Sequence, residues 1–243
     1  MLVVLIWVSI NKNAGPAGRK ASAREVFRSL ASLWSVVLLA GVVLVGLWGG
    51  VFSATEAAGI GAFTAFIITL IYRGNIPSIV INSLKDTIKT TAMVLMILMG
   101  AMVFSYFMTA SELPDALVNL INNVSLSPIL ILIFILLIFI FLGCIFDTAA
   151  LTFVVLPIIW PIIQTLGFDP IWFGILYTIN AEMALITPPI GINVFVVSGV
   201  SKVPMYTVFK GILPFFIAMC VCTAIIMIFP QIALFLPNSM IQR

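Results

Sequence analysis

The chain is 243 residues long, 63% hydrophobic and 8% charged, whereas ordinary soluble domains carry about 25% charged residues. It cannot cover a water-soluble globule, and its length holds roughly six membrane spans of about 20 residues. A net charge of +3 carries no argument for a nucleic-acid partner, and the absence of His, with Cys144, Cys220 and Cys222 in apolar runs without metal spacing, argues against a zinc site, a haem or a disulfide framework.

The expected fold is therefore an all-α, polytopic integral membrane protein whose partner is the lipid bilayer. Met1 to Ile10 is an apolar decamer, too short to span, followed by positive charge rather than preceded by it; that order is the reverse of a signal peptide, and the decamer reads as the tail of a preceding transmembrane helix, with a short interfacial anchor as the alternative. Residues 11–30 carry Lys12, Arg19, Lys20, Arg24 and Arg28 against Glu25, with Gly15, Pro16 and Gly18 breaking any helix, which marks a cytoplasmic loop. Ala31 to Trp48 is the first complete span. After Gly49 and Gly50, Ser53 and Glu56 form the signature of a capping box that opens the second span, Ala57 to Tyr72.

Residues 76–91 mix Lys85, Asp86 and Lys89 with apolar residues and are expected to lie along the cytoplasmic interface, completing a scaffold-type region over 31–91. A transport-type region over 92–207 begins with the span Ala92 to Met108, followed by an external loop, residues 109–128, that holds Glu112 and Asp115 and no Lys or Arg. Val208 to Phe229 is the last span, and residues 230–243 are expected outside. This topology leaves ten of the eleven basic residues cytoplasmic and only Arg243 external.

Two interruptions stand inside apolar sequence. Ile129 to Leu142 is about 21 Å of helix, short of the roughly 30 Å of hydrocarbon, and it stops at Gly143-Cys-Ile-Phe-Asp147-Thr148 before apolar sequence resumes to Ile163. This is either a pair of short spans or a re-entrant hairpin, residues 129–163, with its tip at Gly143 to Thr148; the turn carries Asp147 and no Lys or Arg, which favours the hairpin. The second interruption, Thr187-Pro-Pro-Ile-Gly191, divides a segment over residues 171–200, because proline has no N–H and forces the preceding residue out of the helical region. Backbone unwound at membrane depth is tolerated only where it is buried in protein or lines a polar cavity, and two such breaks mark the binding site of a transporter.

The candidate site residues follow from these breaks and from acids in apolar surroundings. Glu56 is explained by its cap. Asp147 either caps the helix after it or offers oxygen to a cation. Thr187 and the carbonyls around it supply hard oxygens suited to sodium, and Asn193 adds an amide. A half-helix beginning near Ile192 presents free N–H groups and the positive end of its dipole to a carboxylate; Thr148, Pro189 and Ile190 are the expected substrate contacts. Glu182 shares a helical face with Thr178 but not with Asn180; Asn180 and Glu182 are candidates for coupling, with a plain packing role for Glu182 as the alternative.

Gly143-Cys-Ile-Phe-Asp147-Thr-Ala-Ala, Leu156-Pro157-Ile-Ile-Trp-Pro161, Gly167-Phe-Asp-Pro170, Phe173-Gly174-Ile and Thr187-Pro-Pro-Ile-Gly-Ile-Asn-Val-Phe195, in this order, resemble the large membrane subunit of tripartite ATP-independent periplasmic (TRAP) transporters. Residues 49–58 resemble a segment near the middle of that subunit. The resemblance implies an elevator-type, sodium-coupled importer of organic acids in the bacterial inner membrane, working with a small membrane subunit and a periplasmic substrate-binding protein. It implies two inverted repeats, each with a hairpin and an unwound helix, of which this chain holds the second. The sodium site would draw on Asp147, Thr148, Thr187, Gly191 and Asn193, with sodium as coupling ion and no other cofactor. The first repeat is the expected partner, and an inactive truncated product is the alternative. A pore subunit and a non-transporting scaffold are the other readings; no constellation of an intramembrane enzyme is visible.

Overall fold

The structure, a computed structural model, describes residues 33–72, 76–123 and 126–240, together with Val4 and Ser22, and all regular structure among them is helical. The decamer apart from Val4, the basic loop over 11–30 apart from Ser22, Arg73 and the last residues, 241–243, lie outside this description. Among the described residues four helices are long and apolar enough to cross a membrane: Ala54–Ile71, Ile76–Ala110, Thr148–Thr165 and Met205–Ile228. The chain is an all-α, multi-pass membrane protein.

Two compact units divide the described chain, one of residues 33–89 with 235–240 and one of residues 90–234. In the first, α1 (Trp34–Trp48) packs on α2 (Ala54–Ile71). The turn between them closes because Gly50 has φ +64°, and because Gly46 leaves room for the Phe52 ring, which a Cβ there would overlap at 1.8 Å. The capping box is formed: the Ser53 N–H and Oγ both donate to Glu56 Oε2 at 2.8 Å, and Ser53 Oγ accepts from the Glu56 N–H. Trp34 stacks on Tyr72, and Trp48 Nε1 donates to Ser239 Oγ at 3.2 Å.

The expected interfacial helix does not end at residue 91. Ile76–Ala110 is one helix, α3, of 35 residues, about 52 Å long and well beyond the hydrocarbon thickness. Between Pro77 and Gly100 it contains no Gly or Pro, so nothing local stops it. The expected external loop likewise contains a helix, α4 (Leu113–Asn123), whose Leu117, Val118 and Ile121 pack onto the core. The stretch after the last span is also helical in part, as α10 (Pro230–Ser239).

The second unit is built around α7 (Pro170–Leu185), which packs along α5 (Pro128–Gly143) and against α9 (Met205–Ile228). Trp172, Phe173, Leu176, Tyr177, Asn180, Ala181, Met183 and Ala184 are all buried, a pattern that leaves α7 little exposed face. Trp172 Nε1 donates to the Ile226 carbonyl at 2.9 Å, and Phe139 meets Tyr177 edge-on at 4.9 Å. Between α5 and α7 the chain forms α6 (Thr148–Thr165), widened to a π-helix over Leu151–Val155. Pro157 accounts for the widening, since it lacks an N–H and crowds the Phe153 carbonyl four residues before it. α8 (Ile192–Ser201) follows the second interruption and packs on α9.

Candidate functional site

Both interruptions are unwound, and each is closed by its own local chemistry. At the first, α5 ends in a tight turn in which the Phe146 N–H donates to the Leu142 carbonyl at 2.9 Å. Asp147 is extended (φ −67°, ψ 152°) and its Oδ2 accepts from the Ala149 N–H at 3.0 Å, so it caps α6. Its side chain is exposed, which leaves lone pairs of the carboxylate open. Thr148 is half-buried, and its carbonyl accepts from Thr152 Oγ1 at 2.7 Å.

At the second, α7 ends at Leu185 and Thr187 folds back on it, its N–H donating to Ala184 at 3.1 Å and its hydroxyl to Met183 at 2.6 Å. Gly191 then opens α8 with φ +57°, a conformation that disfavours a side chain. The space is closed as well: a Cβ at Gly191 would stand 3.2 Å from the Phe209 ring and 3.2 Å from the Thr187 carbonyl. No side chain caps α8, so its first N–H groups and the positive end of its dipole are open. Pro188, Pro189 and Ile190 form the turn between the two helices, with the Thr187 carbonyl held close to Gly191.

The end of α5 meets α7 at a glycine. A Cβ at Gly143 would lie 2.5 Å from Ala184 Cβ and 2.9 Å from Leu151 Cδ1. The base of the first turn is thus pressed on α7, three residues before Thr187. About two turns further along α7, Thr152 Oγ1 and Tyr177 Oη are 2.8 Å apart. The single hydroxyl hydrogen of Thr152 goes to Thr148, so Tyr177 is the donor in that pair. Tyr177, Asn180 and Ala184 recur at helical spacing on the side of α7 that faces α5. Asn180 is 2% exposed, and among the described residues its buried Oδ1 has no hydrogen-bond partner.

The predicted residues are therefore brought together in part. The end of α5 touches α7 just before the second interruption, but among the described residues no hydrogen bond joins Asp147 or Thr148 to Thr187, Gly191 or Asn193. Asn193, Pro189, Ile190 and Glu182 are exposed, and Glu182 shares its exposed face with Thr178. The sequence reading missed the Thr152–Tyr177 pair. Its signal was the i, i+4 spacing of Thr148 and Thr152, opposite a lone tyrosine in an apolar helix.

Comparison with known proteins adds the following. Residues 1–232 match the profile of the family described as tripartite ATP-independent periplasmic transporter, DctM component. The chain is 32% identical over 238 residues to a sialic acid TRAP transporter large permease protein of Vibrio cholerae, covering 98% of this chain and 56% of the relative. It is 32% identical over 240 residues to a C4-dicarboxylate TRAP transporter large permease protein of Pseudomonas aeruginosa, with 98% and 56% covered. A 2,3-diketo-L-gulonate TRAP transporter large permease protein of Escherichia coli is 29% identical, with 95% and 55% covered. The chain spans about half the length of these curated relatives.

Proposed function

We infer the function of this chain from its family: it belongs to the tripartite ATP-independent periplasmic transporters, as a DctM component. We propose that it supplies the carboxyl-terminal half of a large permease subunit that imports an organic acid in symport with sodium. The observation that carries this reading is the Gly143–Ala184 contact, which brings the end of α5, where the first unwound stretch begins, against α7 three residues before the second. Helices interrupted at one place in this way form ligand sites in secondary transporters. The substrates named for the relatives, sialic acid, C4-dicarboxylates and 2,3-diketo-L-gulonate, share a carboxylate, which suits the uncapped amino-terminal end of α8.

In this reading Asp147, Thr148, Thr187, Gly191 and Asn193 supply oxygens for sodium, and Thr148, Pro189 and Ile190 border the substrate. Asn180 and Glu182 serve coupling: the unpartnered Oδ1 of Asn180 needs a donor or a cation, which a change in the seam would bring to it. The α5–α6 pair is a re-entrant hairpin that moves with α7 and α8 as an elevator in the inner membrane. The preceding half of the subunit, a small membrane subunit and a periplasmic binding protein complete the system.

The test is uptake into proteoliposomes that contain this chain together with those three components. A sodium gradient should drive saturable uptake of one of the named acids, and Asp147→Asn should raise the sodium concentration for half-maximal uptake about tenfold, as for losing about 1.4 kcal/mol of binding. Uptake indifferent to sodium would overturn the symport reading. Flux that neither saturates nor needs the binding protein would make this a pore.

A further inference from the structure

Beside the second interruption, within the same compact unit, lies a groove of about 260 Å³ that transport as described above does not use. One wall is Ile186, Thr187 and Pro188; the other is α9, through Phe209, Leu213 and Phe216. Thr187 has no hydroxyl hydrogen to offer it, because that hydrogen goes to Met183. Polarity gathers at one end of α9, where Lys210 Nζ lies 4.7 Å from the centroid of the Tyr206 ring, both side chains being exposed.

The order of these residues along α9 decides what fits. Lys210 is the only charged residue between Met205 and Ile228. From Tyr206 to Phe216 the helix rises about 15 Å, and beyond Lys210 it gives the groove only Ile212, Leu213 and Phe216. A tyrosine and a lysine at one end of an otherwise apolar span are the residues of a membrane interface. A lone cation there, with a hydrocarbon slot running away from it, matches an amphiphile with one anionic group and an apolar tail. A short dicarboxylate or a sugar acid does not fit, since its second charge or its hydroxyls would lie against hydrocarbon without partners.

We propose that this groove binds an anionic phospholipid, with the phosphate against Lys210 and Tyr206 Oη and an acyl chain along Leu213 and Phe216. The lipid would also touch the unwound segment, because Phe209 lines the groove and packs against Gly191. The proposal rests on the groove alone and stands whether or not transport is coupled to sodium.

Quenching of a tryptophan by brominated lipids tests it. Phe216→Trp is placed in the full chain and reconstituted in vesicles of phosphatidylcholine and phosphatidylglycerol, one of the two brominated in its acyl chains, and the emission added over the unsubstituted chain is followed. Half-quenching should need about fivefold less brominated phosphatidylglycerol than brominated phosphatidylcholine, the ratio expected of one lysine near an anionic lipid. Lys210→Gln in the same background should abolish the preference, and Lys210→Arg should keep it. Quenching by brominated phosphatidylcholine in each variant checks that the chain is inserted. Equal quenching by both lipids, no quenching by either, or a preference unchanged in Lys210→Gln would overturn the proposal. A second measurement leaves the groove intact: native mass spectrometry of the unsubstituted chain should retain phosphatidylglycerol adducts that Lys210→Gln loses.

Discussion

At Gly143 the absence of one methyl group permits the close contact of α5 with α7. Gly143→Ala would press a Cβ onto Ala184 and should lower stability by about 1–3 kcal/mol, as over-packed positions do. Ala184→Gly in the same chain should recover most of the loss. Thermal melts of the purified chain in detergent decide this, and an unchanged melting temperature in Gly143→Ala would show that the seam is not tight. Asn180 makes the opposite case, because among the described residues its buried Oδ1 has no partner and leaving it so costs about 1–3 kcal/mol. Asn180→Val should therefore raise the melting temperature while abolishing sodium-dependent uptake. A variant that is both less stable and fully active would mean that the amide serves packing only. Both residues are plain in the sequence, one as a break and one as a polar intruder. What each touches is not, since Ala184 is 41 positions from Gly143.

The second interruption survives because its residues cannot be helical, and this can be reversed. Pro188 and Pro189 remove donors, and Gly191 holds φ +57° against the Phe209 ring and the Thr187 carbonyl. Gly191→Ala alone should cost about 1–2 kcal/mol for the left-handed backbone. Replacing Pro188, Pro189 and Gly191 together by alanine removes every local obstacle, so α7 and α8 should fuse. Far-ultraviolet circular dichroism should then show added helix, and uptake should be lost; uptake retained with added helix would detach function from the break. The helices α5 and α6 were equally legible, as apolar runs on either side of Gly143 to Thr148. The π-widening of α6 and the helix α4 were not, because a long apolar run masks a local change of period and a short amphipathic run resembles a loop.

Across the whole molecule, the charge rule and the long helix make one joint prediction. Lys85 and Glu112 stand near opposite ends of α3 and its following turn, so cysteines placed at the two positions in a cysteine-free chain should react with an impermeant maleimide from opposite faces of the membrane. Lys85→Cys should be reached only after the membrane is opened, and Glu112→Cys in intact cells. Labelling of both from one side would remove the topology on which the placement of the breaks rests. The sequence by itself determined the membrane class, the capping box at Ser53 and Glu56 and the positions of both breaks, because these follow from local chemistry: hydropathy, a missing N–H, a missing Cβ. Only the tertiary structure decided that α5 abuts α7 at Gly143 and Ala184, that Asn180 is stranded, that residues 76–110 run as one helix and that Lys210 heads an apolar groove. Which helix faces which is set by packing between residues far apart in the chain, and periodicity within one helix carries no record of its neighbour.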